Sequence, residues 1–388
     1  MMKQTGDLAL VKKMNTAIVL DAVLRYAPLS RAQISERTGL NKATVSSLVQ
    51  DLIEHHLVLD IGPGESSGGR KPNLLRFRAR TGFAIGIDLG VNYIRGILTD
   101  LEGEVLAERR LTLTAHDAAY VLPRLLDCIA SLQAEIPPCP YGTVGVGIGV
   151  PGLVNEEGAI LYAPNLGWTD VPLRAIVEAR FGVPVTIDNE ANAGAQGEQR
   201  YGAGRGIANQ IYVSAGIGIG TGMILNKELY KGAGGFSGEL GHLSIQADGK
   251  PCRCGNRGCW ELYASENALL EQAASLGYRD LDSLLEAAGR GEAEVLRLFE
   301  RIGEALGVGI ANIVNVFNPD VVIVGNELRR AEAWLGEAMQ RTVAERALAH
   351  HRRRLRVLFA EQGEKSAVRG AAYYAISAFL AKMKGSGV

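Results

Sequence analysis

Apolar residues near the start of the chain recur every three or four positions, which is the period of an amphipathic helix. A first helix is expected to end before Pro28, because proline lacks the backbone N–H that would continue it. Its apolar positions are Val11, Ile18, Val19 and Ala22. From Phe83 onward the period changes to that of strands, so the chain is expected to have a helical head and an α/β body.

Two shorter helices follow the first, separated by a glycine turn. Ser30 and Gln33 have the spacing of a capping box, and Gly39 is the residue expected to end that helix in a left-handed turn. Asn41 is the expected N-cap of the next helix, whose apolar stripe comprises Val45, Leu48, Val49 and Leu52. Two short helices around a glycine turn predict a helix-turn-helix, whose second helix normally lies in the major groove of DNA.

The other face of that third helix carries small and polar residues. Glutamine can read adenine edges, serine can reach bases or phosphates, and alanine can touch a thymine methyl group. An ordinary solvated face is the alternative. The candidate DNA contacts on this helix are Asn41, Lys42, Ala43, Thr44, Ser46, Ser47 and Gln50.

Two short apolar runs, 57–59 and 74–77, predict the strands of a wing. The loop between them is rich in glycine and then basic. Arg70 and Lys71 are candidates for phosphate or minor-groove contacts, although ordinary linker charges explain them equally well. We assign 1–61 to a winged helix-turn-helix domain and 62–80 to the wing and a basic linker.

Length and charge support this division. A chain of 388 residues is too long for one ordinary core, so two or three domains are expected. Residues 1–80 hold 12 Lys and Arg against 7 Asp and Glu, whereas the rest holds 29 against 35, so only the head is expected to meet a polyanion. Five cysteines and no long apolar run predict a soluble, cytoplasmic protein without a disulfide framework or a membrane segment.

The body begins with three strands, a helix and another strand, and part of this order recurs later. The first set is expected at 84–90, 93–100, 105–112, 117–133 and 144–150, and the second set of strands at 210–215, 220–225 and 321–325. Alternating glycines in 144–150 indicate tight packing or close approach of a ligand. We assign a first lobe to 81–202 and a second to 203–388, with C-terminal helices at 294–317 and 365–384 expected to pack on the second lobe.

One stretch of the second lobe has the composition of a metal site. Three cysteines within eight positions follow a histidine, and Cys₃His is a standard closed shell for structural zinc. We favour zinc over a redox pair or buried free cysteines. The expected ligands are His242, Cys252, Cys254 and Cys259. Glu239 and Glu261 bracket the site without suiting a filled shell, and carboxylates are suited to accepting hydrogen bonds from the hydroxyls of a sugar.

The motif Gly-Glu-Leu-Gly-His, followed by Cys-Arg-Cys-Gly-Asn-Arg-Gly-Cys-Trp-Glu, resembles the hallmark of the ROK family (repressors, open reading frames and sugar kinases). The resemblance implies a two-lobed actin-like, sugar-kinase (ribonuclease H-like) body, with ligands in the cleft between the lobes. It also implies that Glu239, His242 and Glu261 line a sugar pocket. The head resembles the winged helix of ROK repressors, which ROK sugar kinases generally lack.

Two further segments extend this resemblance to the first lobe. Ile187-Asp-Asn-Glu-Ala-Asn192 is similar to the segment in which ROK kinases carry an aspartate as general base, and Glu190 stands at that position beside Asn189. A longer side chain displaces the carboxylate, so we expect binding without phosphoryl transfer and assign no catalytic residue. Pro164-Asn165 implies a sugar-binding Asn165, and Trp168 is either an apolar wall of the pocket or a core residue.

The turns that hold ATP in ROK kinases are altered here. Asp88-Leu-Gly-Val-Asn92 lacks a glycine and a threonine of the kinase pattern, and Asn326 stands at a position where kinases usually have glycine. The turn 214–222 keeps its glycines. An active ATP-dependent sugar kinase with a DNA-binding head is therefore the main rival, and a repressor that senses a partner protein is a third possibility.

The resemblance is greatest to the xylose-repressor branch of the family. It implies a repressor that binds operator DNA as a homodimer or a higher homo-oligomer. An aldose is the expected inducer, first D-xylose and then glucose or another aldose, and structural Zn²⁺ is the expected cofactor.

Overall fold

The computed structural model describes residues 8–63 and 71–386. Three helices and a small sheet with the strand order β1-β3-β2 form the head. Its elements are α1 (Leu8–Tyr26), β1 (Leu29–Ser30), α2 (Arg31–Thr38), α3 (Lys42–Glu54), β2 (Val58–Pro63) and β3 (Asn73–Phe77). The winged helix-turn-helix is thereby confirmed, and β2 and β3 are the two strands of the wing.

Caps fix both helices of the helix-turn-helix. Ser30 and Gln33 form the predicted capping box, and Gly39 ends α2 with a φ of 72°. The side chain of Asn41 accepts a hydrogen bond from the Thr44 N–H at 2.8 Å and so starts α3. All four residues of the predicted apolar stripe of α3 are buried. Local sequence signals therefore determine this part of the fold.

The expected apolar face of α1 is partly wrong. Val11 and Ile18 are 44% and 41% exposed. The buried residues of α1 lie from its middle onward and are Thr16, Val19, Leu20, Ala22 and Val23. The contacts of α1 with α2, α3 and the C-terminal helix select this face, and helical spacing alone does not identify it.

The first lobe is built on a five-stranded sheet with the order β11-β7-β4-β5-β6, and a small sheet, β10-β9-β8, is inserted after β7. Its elements are β4 (Phe83–Leu89), β5 (Tyr93–Asp100), β6 (Val105–Thr112), α4 (Ala118–Gln133), β7 (Thr143–Val150), β8 (Leu153–Val154), β9 (Ile160–Ala163), β10 (Trp168–Val171), α5 (Leu173–Phe181), β11 (Val185–Asn189) and α6 (Glu190–Tyr201). β4 pairs antiparallel with β5 and parallel with β7.

The second lobe repeats this plan with the order β14-β13-β12-β15-β16. Its elements are β12 (Gln210–Ala215), β13 (Ile219–Leu225), β14 (Glu228–Leu229), α7 (Glu261–Ala264), α8 (Glu266–Ala273), α9 (Leu281–Gly289), α10 (Ala293–Phe317), β15 (Val321–Gly325), α11 (Glu332–Arg346), α12 (Ala349–Arg352), β16 (Arg356–Phe359) and α13 (Ser366–Ser386). β12 pairs antiparallel with β13 and parallel with β15. Matching strand order and direction make the body a structural repeat, as the predicted two-lobed fold requires.

The last helix of each half packs on the sheet of the other half. α6 packs on β12 and β13 of the second sheet, whereas α13 packs on β4 and β7 of the first sheet and against α6. The expectation that segment 365–384 packs on the second lobe is therefore wrong, and α13 also departs from the assignment of 203–388 to one lobe. Glycines explain the close fit, because a Cβ on Gly147 would overlap the backbone of Ala371 in α13. The alternating glycines of β7 thus serve packing.

A buried carboxylate joins the two segments that cross between the lobes. Glu198, near the end of α6, is fully buried and accepts hydrogen bonds from the backbone N–H groups of Ala203, Glu361 and Gln362 at 2.8–3.1 Å. It also accepts one from the Ser366 hydroxyl at 2.6 Å. Both crossings are therefore tied to one side chain at the base of α13.

The far end of α13 belongs to the core of the head. Ile376 and Phe379 pack in the same apolar cluster as the head helices, and the Phe379 ring meets the Tyr141 ring edge-on at 5.0 Å. Lys384 forms an ion pair with Asp21 of α1 at 2.6 Å. One helix therefore connects the lobe crossing to the head. Across the described residues, no helix has both the length and the apolarity needed to cross a bilayer.

Candidate sugar pocket and metal centre

A cleft of about 1230 Å³ separates the two lobes. It lies where β4, β7 and β11 end and where the loops after β13 and β14 begin. The six residues predicted to bind a sugar all line it: Asn165, Asn189 and Glu190 from the first lobe, and Glu239, His242 and Glu261 from the second. A ligand that contacted both sets would join the lobes. Their role in sugar binding stays a prediction.

The first-lobe residues sit at element ends. Asn189 ends β11 and is the N-cap of α6, where its Oδ1 accepts from the Ala191 N–H at 2.8 Å. Its Nδ2 donates to the Gly152 carbonyl at 3.1 Å. Each group of the Asn189 amide therefore already has one protein partner. Asn165 lies in the turn between β9 and β10, a sheet that the sequence reasoning did not predict.

Glu190 is the first residue of α6. Burial, followed by the nearby Asp88 carboxylate, raises the pKa of Glu190 from 4.5 to about 8. The Glu190 side chain is consequently protonated at neutral pH in this state, and can donate one hydrogen bond as well as accept. It can take the proton of a sugar hydroxyl only in its ionised form, which is the minor form at neutral pH.

His242 turns one ring nitrogen to each of the two second-lobe carboxylates. Its Nδ1 lies 3.4 Å from Glu261 Oε1, and its Nε2 lies 4.0 Å from Glu239 Oε2. Burial raises the pKa of Glu239, against the opposing effect of His242. The arrangement allows the Nδ1 side to serve a metal while the Nε2 side faces the cleft.

The four predicted zinc ligands lie together, with all donor atoms within 4.8 Å of one another. Zn–S bonds of about 2.3 Å in a tetrahedron place two sulfurs roughly 3.8 Å apart and a sulfur and a nitrogen about 3.6 Å apart. The Sγ atoms of Cys254 and Cys259 are 3.7 Å apart, and Cys252 Sγ is 3.6 Å from His242 Nδ1. The donor set could therefore hold a metal of this size.

Local backbone geometry brings the thiols together. Gly255 and Gly258 have φ values of 91° and 69°, a region that glycine adopts without strain. Burial and the neighbouring thiols raise the pKa of Cys259 to about 12. Three thiolates would repel one another without a cation, and a divalent ion among them would offset that repulsion.

Tyr93 and Asn326 fill the two turns at which the sequence differs from the kinase pattern. The Tyr93 hydroxyl donates to Asp88 Oδ2 at 2.9 Å, and its ring lies so close to Gly90 that a Cβ there would overlap it. Burial raises the pKa of Asp88 to about 6. On the second lobe, Asn326 Nδ2 donates to Ser214 Oγ at 2.9 Å. No sequence signal pointed to Tyr93.

Trp168 is a core residue and not a wall of the pocket. It is 3% exposed, packs in the first-lobe core and donates its indole N–H to the His116 carbonyl at 2.7 Å. The sequence reasoning also missed the contact of Asp188 with Lys231, which spans the cleft with 2.6 Å between Nζ and Oδ2. Its partners are 43 positions apart, so no local pattern links them.

The candidate DNA face of α3 is open to solvent, except at Thr44, which is half-buried. Gln50 Nε2 donates to Glu54 Oε1 at 3.0 Å, which orients its amide along the helix. Lys71 is exposed. Arg70 lies outside the described residues.

Comparison with known proteins agrees with this geometry. The ROK family model matches residues 84–378, and the model of the IclR helix-turn-helix domain matches residues 15–59. The chain belongs to the ROK family. Among relatives of this ROK chain, the xylose repressor of Bacillus subtilis (strain 168) is 42% identical over 379 residues, which cover 97% of this chain and 98% of the relative.

Two solved structures that are similar to this chain differ in how much of it they cover. A ROK family transcriptional regulator, described as a homolog of the E. coli MLC protein, superposes with a TM-score of 0.82 at 27% identity, over 97% of this chain and 99% of its own. A ROK family glucokinase from Streptomyces griseus, solved with glucose and AMPPNP, gives 0.70 at 30% identity. The glucokinase match covers 76% of this chain and all of its own, whereas the regulator spans nearly this whole ROK chain.

Proposed function

We propose that this chain is a sugar-responsive transcriptional repressor that binds operator DNA through its head and releases it when an aldose enters the cleft. One observation carries the proposal: α13 is tied to the lobe crossing at Ser366 and packs in the core of the head at Phe379. A change in the angle between the lobes therefore has a continuous route to the DNA-binding helices. The likeness to a xylose repressor makes D-xylose the first inducer to test.

The sugar is proposed to bind between Asn165, Asn189 and Glu190 on one side and Glu239, His242 and Glu261 on the other. Neighbouring hydroxyls of an aldose suit carboxylates that accept paired hydrogen bonds. A protonated Glu190 adds a donor for a ring or hydroxyl oxygen. Because the residues come from both lobes, the sugar stabilises the state in which the lobes are close together.

Structural zinc is the proposed occupant of the site formed by His242, Cys252, Cys254 and Cys259. When bound, the ion supplies a rigid charged anchor and not a reactive water, because the four protein donors complete its shell. With the metal in place, the ring of His242 is held in one orientation. Glu261, whose Oε1 lies 3.4 Å from Cys252 Sγ, is kept at the cleft.

Kinase activity is proposed to be absent. Tyr93 occupies the space beside Gly90, and Asn326 lies against Gly216, so both turns lose room for phosphates. Glu190 stands where the family resemblance implies an aspartate base, and its longer side chain displaces the carboxylate. The retained glycines of 216–222 and the likeness to a glucokinase favour the rival, an active kinase.

A coupled assay with ATP and a panel of aldoses separates the two functions. We expect no turnover above that of Glu190→Gln. Turnover that the substitution abolishes would establish the kinase instead.

The repressor is proposed to act as a dimer, since two heads related by a two-fold axis would read a palindromic operator. An inducer at about 100 times its dissociation constant stabilises the state that binds it by about 2.7 kcal/mol per site. This corresponds to roughly a hundredfold loss of operator affinity. The proposed DNA contacts are those of α3 and its start, with Arg70 and Lys71 at the wing.

The test is fluorescence anisotropy with labelled DNA from upstream of the gene itself, with and without D-xylose, glucose and other aldoses. Release by one aldose at concentrations at which the others have no effect supports the proposal. Tight DNA binding that no aldose weakens, together with no heat in sugar titrations, would favour sensing of a partner protein.

A further inference from the structure

An ion pair spans the cleft beside the residues that are proposed to bind the sugar. Lys231 Nζ, from the loop after β14 in the second lobe, lies 2.6 Å from Asp188 Oδ2 at the end of β11 in the first. The Asp188 side chain is 7% exposed and that of Lys231 is 48% exposed. A pair with one buried partner is screened less by solvent than a surface pair. It therefore contributes to the relative position of the lobes.

Asp188 is bonded to the segment that carries the proposed sugar residues. Its Oδ1 accepts from the Asn189 N–H and from Asn192 Nδ2, both at 2.9 Å. On its other side stands Tyr374 of α13, and burial together with the Asp188 carboxylate raises the pKa of Tyr374 well above its usual value. Asp188 thus connects the start of α6 with whatever its Oδ2 binds, and it lies near the middle of α13.

Lys231 is likewise bonded to the second-lobe side of the pocket. Its carbonyl accepts from the Ser237 N–H at 3.1 Å, and the Ser237 hydroxyl donates to the Tyr230 carbonyl at 2.6 Å. These bonds close the loop 230–238 into a compact unit that leads directly to Glu239. A shift of Lys231 relative to Asp188 would therefore shift Glu239 relative to Glu190.

We propose that Lys231 is a positioning residue for the sugar response, which draws the two halves of the pocket together by pairing with Asp188. This inference deepens the proposed function and rests on it. The pair favours the state in which the lobes are close, the same state that the sugar favours. Lys231 consequently raises sugar affinity without having to touch the sugar.

Linkage gives this role a signature that a merely structural role lacks. A contact that favours the sugar-bound arrangement opposes the operator-bound one, by at most the free energy that it adds to the first. Loss of the pair should therefore weaken sugar binding while leaving operator affinity unchanged or higher. A defect in folding would instead weaken both.

The experiment compares Lys231→Met with Lys250→Met in the full chain. Lys250 pairs with Glu271 at 2.7 Å and is 47% exposed, but both partners belong to the second lobe. Xylose affinity is measured by isothermal titration and operator affinity by anisotropy without sugar. We expect K231M to raise the xylose dissociation constant about tenfold, within the usual range of allosteric coupling, with operator affinity equal or tighter. K250M should match the wild type in both, and Lys231→Arg should restore most of the sugar affinity.

A second background tests the pair itself. In Asp188→Asn protein, whose own sugar affinity is altered, the additional change K231M should have little further effect. If K231M and the wild type have equal xylose affinity, or if K231M loses sugar and operator affinity together, the role assigned to Lys231 is wrong. If no aldose binds or releases the wild type, the proposed function itself fails, and the role of Lys231 fails with it.

Discussion

Glu190 is the residue on which the proposed loss of phosphoryl transfer depends most directly. By resemblance it stands where ROK kinases carry an aspartate as base, and burial raises the pKa of its carboxyl to about 8. When a carboxyl whose pKa is raised in the folded state ionises, the free energy of unfolding falls. The pH dependence of unfolding therefore reports its environment.

We predict that stability falls as the pH rises from about 5 to 8, and that Glu190→Gln removes part of this slope. The folded state holds a proton that the unfolded state releases above its ordinary pKa of 4.5, so raising the pH favours unfolding until the folded pKa of about 8 is passed. Urea unfolding at pH 5 to 8.5 measures the effect. Asp88, with a pKa of about 6, accounts for part of the remaining slope.

The control is Glu157→Gln, because Glu157 is exposed. Equal slopes for the wild type and E190Q would mean that Glu190 is ionised in the folded protein at neutral pH.

For the metal centre, we predict that Cys254→Ser loses zinc, lowers the free energy of unfolding by roughly 2–4 kcal/mol and weakens the sugar response, all together. Loss of one thiolate opens the shell, and His242 and Glu261 lose their anchor. Zinc per chain by mass spectrometry, urea unfolding and xylose titration give the three readouts. Cys139→Ser, outside the cluster, is the control. Zinc-free C254S that still releases operator at the same sugar concentration would refute the supporting role of the ion.

At the scale of elements, α3 is expected to carry different residues for base recognition and for attraction of DNA phosphates. Gln50 points its amide along the exposed face with the help of Glu54, whereas Lys42 stands at the start of the helix. The two residues should therefore affect DNA binding in different ways.

We predict that Gln50→Ala weakens operator binding by about 1–3 kcal/mol and relaxes preference at one base pair of each half-site. Lys42→Ala should weaken binding to all sequences alike and reduce the salt slope by about 1 per head. Anisotropy over a range of salt concentrations and operator variants checks both. A salt slope changed by Q50A and not by K42A would exclude this assignment of contacts.

Local signals predicted the elements that depend on local chemistry. The caps at Ser30, Gly39 and Asn41 and the three strands that begin at Phe83 lie within a residue or two of their predicted places. The packing of α13 was mispredicted, because helical periodicity shows that a face is apolar and does not show which surface covers it. Likewise the four donors of the proposed metal site are close in sequence and were predicted to lie together, whereas Lys231 and Asp188 meet only through the fold.

At the scale of the molecule, α13 connects the lobe crossing with the head, and so joins the proposed sugar site to the proposed DNA-binding helices. Its first turn is held at the lobe crossing by Glu198, its middle stands beside Asp188, and its end packs in the head. The helix should therefore transmit any rotation of the lobes.

We predict that Phe379→Ala uncouples the two functions. Removing a buried ring that meets Tyr141 creates a cavity worth about 3–5 kcal/mol at the junction, so the head no longer follows the body. Xylose affinity should stay within about twofold of the wild type, while the ratio of operator affinities without and with xylose shrinks about tenfold. Titration and anisotropy measure these. Phe181→Ala, which loosens the first lobe far along the chain from this junction, should keep the ratio, and a normal ratio in F379A would argue for another route.

The ion pair of Lys384 with Asp21 sets the end of α13 against the first helix of the head. A dye attached at the C-terminal end of α13 would consequently report from the head of the molecule. It would do so although α13 follows both lobes in the sequence. In the proposed dimer, energy transfer between two such dyes would measure the distance between the two heads. A titration with xylose would then show by how much the sugar changes this distance relative to the spacing of the operator half-sites.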